Sequence, residues 1–151
     1  MIITDKKYLR QKSIDITEDD AIDNIVKQLK ENNETAWTKG CGLAGIQIGI
    51  NKRIAWLKIN DEELILINPE ITKYGESRSI ELEGCLSIPN TLTKVRRSDY
   101  IEIVTNSFTQ EKKHYSGFIA KVIQHEIDHM NGILNIDKKY KQYNKTKRKK
   151  K

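Results

Sequence analysis

Two of the three histidines in this chain stand four positions apart, in Gln124-His125-Glu126-Ile127-Asp128-His129. Residues i and i+4 of a helix share a face, so a helical segment here aims both imidazoles at one point. Glu126 is rotated by about 100° from His125, near enough to hold a water on an ion at that point without ligating it. Such a helix needs a third donor from elsewhere in the fold. H-E-x-x-H sites usually take it from a downstream His or Glu, but His114 lies upstream and nothing suitable follows. Cys85, in Glu83-Gly84-Cys85-Leu86-Ser87, is the better candidate. A thiolate is a strong ligand, and the glycine before it lets backbone approach an ion. The plainer readings are two histidines on a surface or in a core, and a lone cysteine serving as a small buried hydrophobe.

The periodicity around this segment reads as α+β. Thr17-Glu18-Asp19-Asp20 has the form of a helix start, with Thr17 as N-cap and Asp20 in the capping-box position, and Ile22, Ile25, Val26 and Leu29 follow at helical spacing. An N-terminal helix over about 18–32 is expected. The segment 40–49, with four glycines, reads as a tight loop. Residues 53–59 and 63–68 form an expected hairpin about Asn60-Asp61-Glu62, followed by short strands at 71–74, 79–83, 100–105 and 112–115. Apolar residues at 119, 122, 123, 127 and 130 predict a helix over 118–131, with Gly132 as its stop. Helix, strands, helix is not the alternation of βαβ units.

Composition narrows the class further. The net charge of +6 suggests a nucleic-acid partner, but nine of the 27 Lys/Arg lie in residues 138–151. That leaves 18 basic against 21 acidic residues in 1–137, a net of −3, so only the tail is basic. Blocks of like charge are usually solvated and disordered, and polybasic ones also bind phosphate backbones. The expected division is a folded domain over 1–137, whose catalytic reading rests on the resemblance given below, and a basic tail over 138–151. No apolar run approaches the roughly 20 residues of a membrane helix. Two cysteines, Cys41 and Cys85, make no disulfide framework, and a reducing, cytoplasmic setting is expected.

Three segments together resemble peptide deformylase. They are Gly40-Cys41-Gly42-Leu43-Ala44-Gly45-Ile46-Gln47 for a G-x-G-L-A-x-x-Q motif, residues 83–87 for E-G-C-L-S, and residues 124–129 for Q-H-E-x-D-H. The likeness covers roughly residues 4–137. It implies antiparallel sheets packed around a central metal-binding helix. It implies that Cys85, His125 and His129 bind one divalent metal with a water in the fourth position. The native ion would be Fe²⁺, with Zn²⁺, Ni²⁺ or Co²⁺ able to occupy the site. Glu126 would move the proton, while the Gln47 amide and the Leu86 backbone N–H would stabilise the oxyanion. The substrates implied are N-formylmethionyl nascent peptides, lying extended between the first two motifs where Gly42 and Gly84 permit close approach. Cys41, Phe118 and Val122 would provide further substrate contacts. A monomer is expected, with the basic tail either a solubilising extension or a tether to ribosomal RNA. An H-E-x-x-H zinc peptidase and a catalytically inert deformylase-like binding protein are the alternatives.

Four departures from the family pattern bear on the site. Gly45 replaces a usual alanine and would loosen the backbone that aims Gln47. Cys41 replaces a usual aliphatic residue. Lys121, one turn before His125, is expected to reach outward to solvent or else to narrow the methionine pocket. The lysine tract stands where many members continue into a helix. Gln124, Asp128 and the Arg96-Arg97 pair are readable as supports of the site or, for the arginines, as solvated surface charges.

Overall fold

The computed structural model describes residues 1–105 and 111–142. A short helix α1 (Lys6–Leu9) and the longer α2 (Ile22–Glu34) precede eight strands, and α3 (Phe118–Met130) follows them. The strands are β1 (Gly42–Ala44), β2 (Ile54–Ile59), β3 (Glu62–Ile67), β4 (Pro69–Tyr74), β5 (Arg78–Cys85), β6 (Ile88–Ser98), β7 (Tyr100–Thr105) and β8 (Glu111–Ser116). They form three antiparallel sheets, ordered β1-β2-β3, β4-β7-β8 and β5-β6. The α+β architecture agrees with the sequence expectation, including the helix placed among antiparallel sheets.

β2 explains where the core sits. Ile54, Ala55, Trp56 and Leu57 are all buried, because both faces of this strand are covered. Ala55 and Leu57 face Ala120, Ile123, Ile127 and Met130 of α3, while Ile54 and Trp56 face Ile25, Val26 and Leu29 of α2. The alternation is that of a strand between two layers. The β2–β3 hairpin turns on Asn60 and Asp61, with φ of 51° and 65°, the paired left-handed conformations of a two-residue type I′ turn.

The structure corrects the start of α2. Thr17 and Asp20 do meet, the Thr17 N–H donating to Asp20 Oδ2 at 2.8 Å and the Asp20 N–H to the Thr17 carbonyl at 3.1 Å. They close a separate turn, in which Lys52 also pairs with Asp20, and the helix begins only after Ala21. The glycine segment is more ordered than a loop. β1 pairs Gly42, Leu43 and Ala44 with Leu57, Trp56 and Ala55, and a 3₁₀ turn (Gly45–Ile48) follows. Gly45 does not loosen this turn. A Cβ there would lie 2.6 Å from the Ile50 carbonyl oxygen, so glycine is what lets the two stretches of backbone close on each other.

β6 carries no strand signal in the sequence, yet it is the longest strand and pairs along β5 from Arg78↔Ser98 to Cys85↔Ile88. Residues 139 and 140 are attached to it: Lys139 bridges Val95, and the Tyr140 N–H donates to the Lys94 carbonyl at 2.7 Å. Residues 143–151, most of the basic tract, lie outside the described residues. Among the described residues no helix is long and apolar enough to cross a membrane.

Candidate metal centre

α3 is two-faced. Ala120, Ile123, Ile127 and Met130 fill the core, and the opposite face turns His125 and His129 towards the end of β5. The two Nε2 atoms face each other at 3.2 Å, and Cys85 Sγ lies 3.5 Å from that of His129. All three donor atoms fall within 4.8 Å of one another. Donors bound at 2.0–2.3 Å in tetrahedral directions stand about 3.3–3.8 Å apart, so this set fits a single divalent ion. A thiolate with two imidazoles also suits a borderline transition metal better than Ca²⁺ or Mg²⁺. Beside the set, Glu126 is 2% exposed and its Oε2 has no hydrogen-bond partner. A buried carboxylate oxygen left free is costly unless something in the site uses it.

The ligands are held from behind. His125 Nδ1 donates to Glu83 Oε1 at 2.9 Å, fixing the ring so that Nε2 faces the site. Arg97 grips Glu83 through Nε and through Nη2 at 3.0 Å, and its Nη1 donates to Asp128 Oδ2 at 2.9 Å. Lys138 completes the chain at 3.0 Å from Asp128 Oδ1. Gln124 instead stitches α3 to β6, accepting from the Ser98 N–H and donating to the Ser98 carbonyl. The arginine pair therefore divides: Arg96 is exposed, whereas Arg97 is 3% exposed and not a surface charge. Adjacent strand residues face opposite ways, so one of the two had to point inward.

The electrostatics follow from burial and from these partners. Burial pushes the Glu126 carboxyl up to about 7, against the pull of the His125 and Arg97 charges. Glu83 is also penalised by burial, but its bonds to His125 and Arg97 outweigh that and hold it at about 2. Burial likewise opposes charge on His125, yet its bonds to Cys85 and Glu83 raise it to about 10. His129 has the same burial with the His125 charge beside it, and is held well below the usual imidazole range. The bonds to Cys85 and Glu83 thus favour positive charge at His125, which a divalent ion would supply more directly than a proton.

The site opens into a groove of about 310 Å³ between β5, α3 and the β1 segment. Gln47 is 2% exposed; its Oε1 accepts from the Ala44 N–H at 2.9 Å, which turns Nε2 towards Ser87 Oγ at 3.1 Å and Cys85 Sγ at 3.7 Å. Leu86 follows Cys85 in the β5–β6 turn. Gly42, Gly84, Phe118 and Val122 all line the groove, and so does Cys41, which is exposed. Gly42 answers first to Glu126, since a Cβ there would lie 2.9 Å from its Oε1, whereas a Cβ at Gly84 would meet nothing nearer than Leu92 at 3.6 Å. Gly42→Ala is expected to displace the Glu126 carboxylate with the fold intact, as a crystal structure and thermal melting of the variant would show.

Lys121 departs from the outward course expected of it. It is 8% exposed, with Nζ 2.7 Å from Glu81 Oε1 and 3.5 Å from Asp99 Oδ1, in the groove wall. Glu83 lies in the segment 83–87, where the sequence reading assigns it no role. Its signal was available: a metal-bound His needs a partner on its other nitrogen, and Glu83 stands two residues from Cys85. Trp37, whose indole N–H donates to the Leu86 carbonyl at 3.3 Å on the groove rim, left no sequence signal.

The family model described as polypeptide deformylase matches residues 1–147. The peptide deformylase of Prochlorococcus marinus (strain MIT 9312) is 42% identical over 141 residues, covering 86% of this chain and 68% of that protein. Among solved structures, a probable peptide deformylase from Synechococcus phage S-SSM7 superposes with a TM-score of 0.82 at 33% identity, covering 91% of this chain and 98% of that one. The peptide deformylase of Thermotoga maritima gives a TM-score of 0.81 at 31% identity, covering 93% and 97%. A match over nearly the whole chain, on a fold that gathers the three motifs around one groove, leaves the zinc peptidase and inert-binder alternatives unfavoured. The chain belongs to the peptide deformylase family and is a hydrolase that removes the N-formyl group from nascent peptides.

Proposed function

We propose that Cys85, His125 and His129 hold one divalent ion, Fe²⁺ in the native enzyme, and that Glu126 and Gln47 carry out the deformylation beside it. The observation that supports this is the convergence of three donors next to a buried carboxylate oxygen without a partner. A bound ion of this kind supplies the Lewis acidity that polarises a formyl oxygen and makes water a nucleophile near neutral pH. Glu126, buried beside the three donors with its Oε2 unpartnered, is placed to accept the proton of the attacking water and return it to the departing amine. Gln47 Nε2, aimed by the Ala44 N–H on its Oε1, and the Leu86 N–H donate to the oxyanion. The products are formate and a peptide with a free N-terminal methionine. The substrate backbone lies extended between the β1 segment and the turn after β5, with Gly42, Cys41, Gly84, Phe118 and Val122 along its path.

A thiolate ligand and Fe²⁺ are both oxidisable, which favours a reducing compartment such as the cytoplasm. The protein acts as a monomer, with residues 1–137 as the catalytic body. The basic tract 138–151 holds it near ribosomal RNA through phosphate contacts. Purification without oxygen is expected to yield about one ion per chain, and a formyl-Met peptide should release formate. A chelator should abolish the release and added Fe²⁺ should restore it. Metal-free protein with undiminished activity would sink this assignment.

A further inference from the structure

β5 and α3 both line the groove and are joined across it by two side-chain rungs, Glu83 to His125 at 2.9 Å and Glu81 to Lys121 at 2.7 Å. Two residues advance about 6.7 Å along a strand and four advance about 6 Å along a helix, so the rungs belong to one ladder. Lys121 therefore stands about one unbranched side-chain length from the turn that bears His125. It shares the groove with Cys85 and Glu126, on the same wall as Phe118 and Val122. The chamber beside the metal centre is thus bounded by a charge pair as well as by hydrocarbon.

An ammonium has three donors. Glu81 Oε1 takes one, and Asp99 Oδ1 at 3.5 Å is an ion-pair partner beyond good hydrogen-bond length. Donors are left over for another acceptor, and Lys121 lines the groove. With Glu81 and Asp99 both negative, the pair repels a carboxylate while still offering N–H to a neutral acceptor.

We infer that Lys121, held in place by Glu81, is a specificity-determining residue that lets this deformylase accept, beside formylmethionine, a formylated residue whose unbranched side chain ends in a neutral hydrogen-bond acceptor, methionine sulfoxide above all. The inference rests on the reading of the groove given above. The reaction is the same: water adds to the formyl carbon, the C–N bond breaks, and the water's proton passes to the amine. A sulfoxide oxygen set against the Phe118 and Val122 side chains finds no hydrogen-bond donor in them; Lys121 provides one.

The test compares kcat/KM for formyl-Met, formyl-Met-sulfoxide and formyl-norleucine tripeptides in the wild type, Lys121→Leu and Lys121→Arg. The wild type should process the sulfoxide within about tenfold of methionine, and Lys121→Leu should widen that gap by a further ~10–100-fold relative to norleucine. Lys121→Arg, which keeps a donor, should restore it. Binding of the deformylated sulfoxide peptide, followed by calorimetry, should weaken in Lys121→Leu in parallel. An unchanged sulfoxide-to-methionine ratio in folded Lys121→Leu overturns the inference, as does a wild type that already rejects the sulfoxide. Failure of the metal-loaded wild type to cleave formyl-Met itself would overturn the reading of the groove and this inference with it.

Discussion

Glu126→Gln is expected to lower kcat by about 10²–10⁴-fold while the protein still binds one ion per chain. Glutamine keeps the size and the hydrogen-bonding reach of the side chain, so the packing against Gly42 is preserved. What it removes is the ability to take a proton. Glu126 is not among the three converging donors, and so the metal content should stay near that of the wild type. The buried oxygen without a partner, Oε2, becomes an amide nitrogen or oxygen of no use to the reaction. Kinetics of formate release, with metal analysis on the same sample, separates the two effects. Undiminished turnover in the variant would refute the role of Glu126. Loss of the ion would mean that the carboxylate serves binding instead.

Arg97→Leu is the substitution expected to cost the most stability. It removes the guanidinium that neutralises both Glu83 and Asp128, leaving two largely buried carboxylates short of a partner. Removing one member of a buried ion-pair network costs about 3–5 kcal/mol, which in a chain of this size lowers Tm by roughly 10 °C. The effect also reaches the metal. Glu83 orients His125, and disturbing such a partner weakens metal affinity by about 10–100-fold. Arg96→Leu, one residue away on the exposed face, is the control and should change stability by no more than about 0.5 kcal/mol. The stability gap between Arg97→Leu and the wild type should narrow as pH falls from about 4.5 towards 2. Glu83, held at about 2, contributes only while it is ionised in the folded protein. Equal Tm values and equal resistance to a chelator in the two variants would remove Arg97 from this role.

The elements most legible in the sequence are those whose signal is local. α3 shows its apolar stripe and its His-x-x-x-His spacing within thirteen residues. The β2–β3 hairpin shows two alternating runs joined by Asn60-Asp61, residues that tolerate positive φ. β6 was hidden because Asn90, Lys94, Arg96 and Arg97 carry no β-strand pattern; pairing with β5 and the grip of Arg97 on Glu83 make it a strand. The start of α2 was misplaced for a similar reason. Asp20 satisfies Thr17 and Lys52, groups brought together by the fold, rather than the first turn of the helix.

The candidate site divides in the same way. Cys85, His125, His129 and Glu126 could be singled out because metal chemistry demands particular residue types at particular spacings, and the sequence displays both; Gln47 entered only through the resemblance of the segment 40–47. Charge pairing was not readable. Lys121 and Arg97 look like any other basic residues in a chain that is 32% charged. Whether a long cation ends in water or on a carboxylate depends on which segment lies across from it. For Lys121 that is Glu81, forty residues away, and for Arg97 it is Glu83 and Asp128. The sequence by itself pointed to the family, the α+β class and the candidate donors, because these rest on local periodicity and on scarce, chemically distinctive residues. Only the tertiary structure decided which charges are buried, what orients His125 and what closes the groove beside the metal, because a buried ion pair exists only where two distant segments exclude water together.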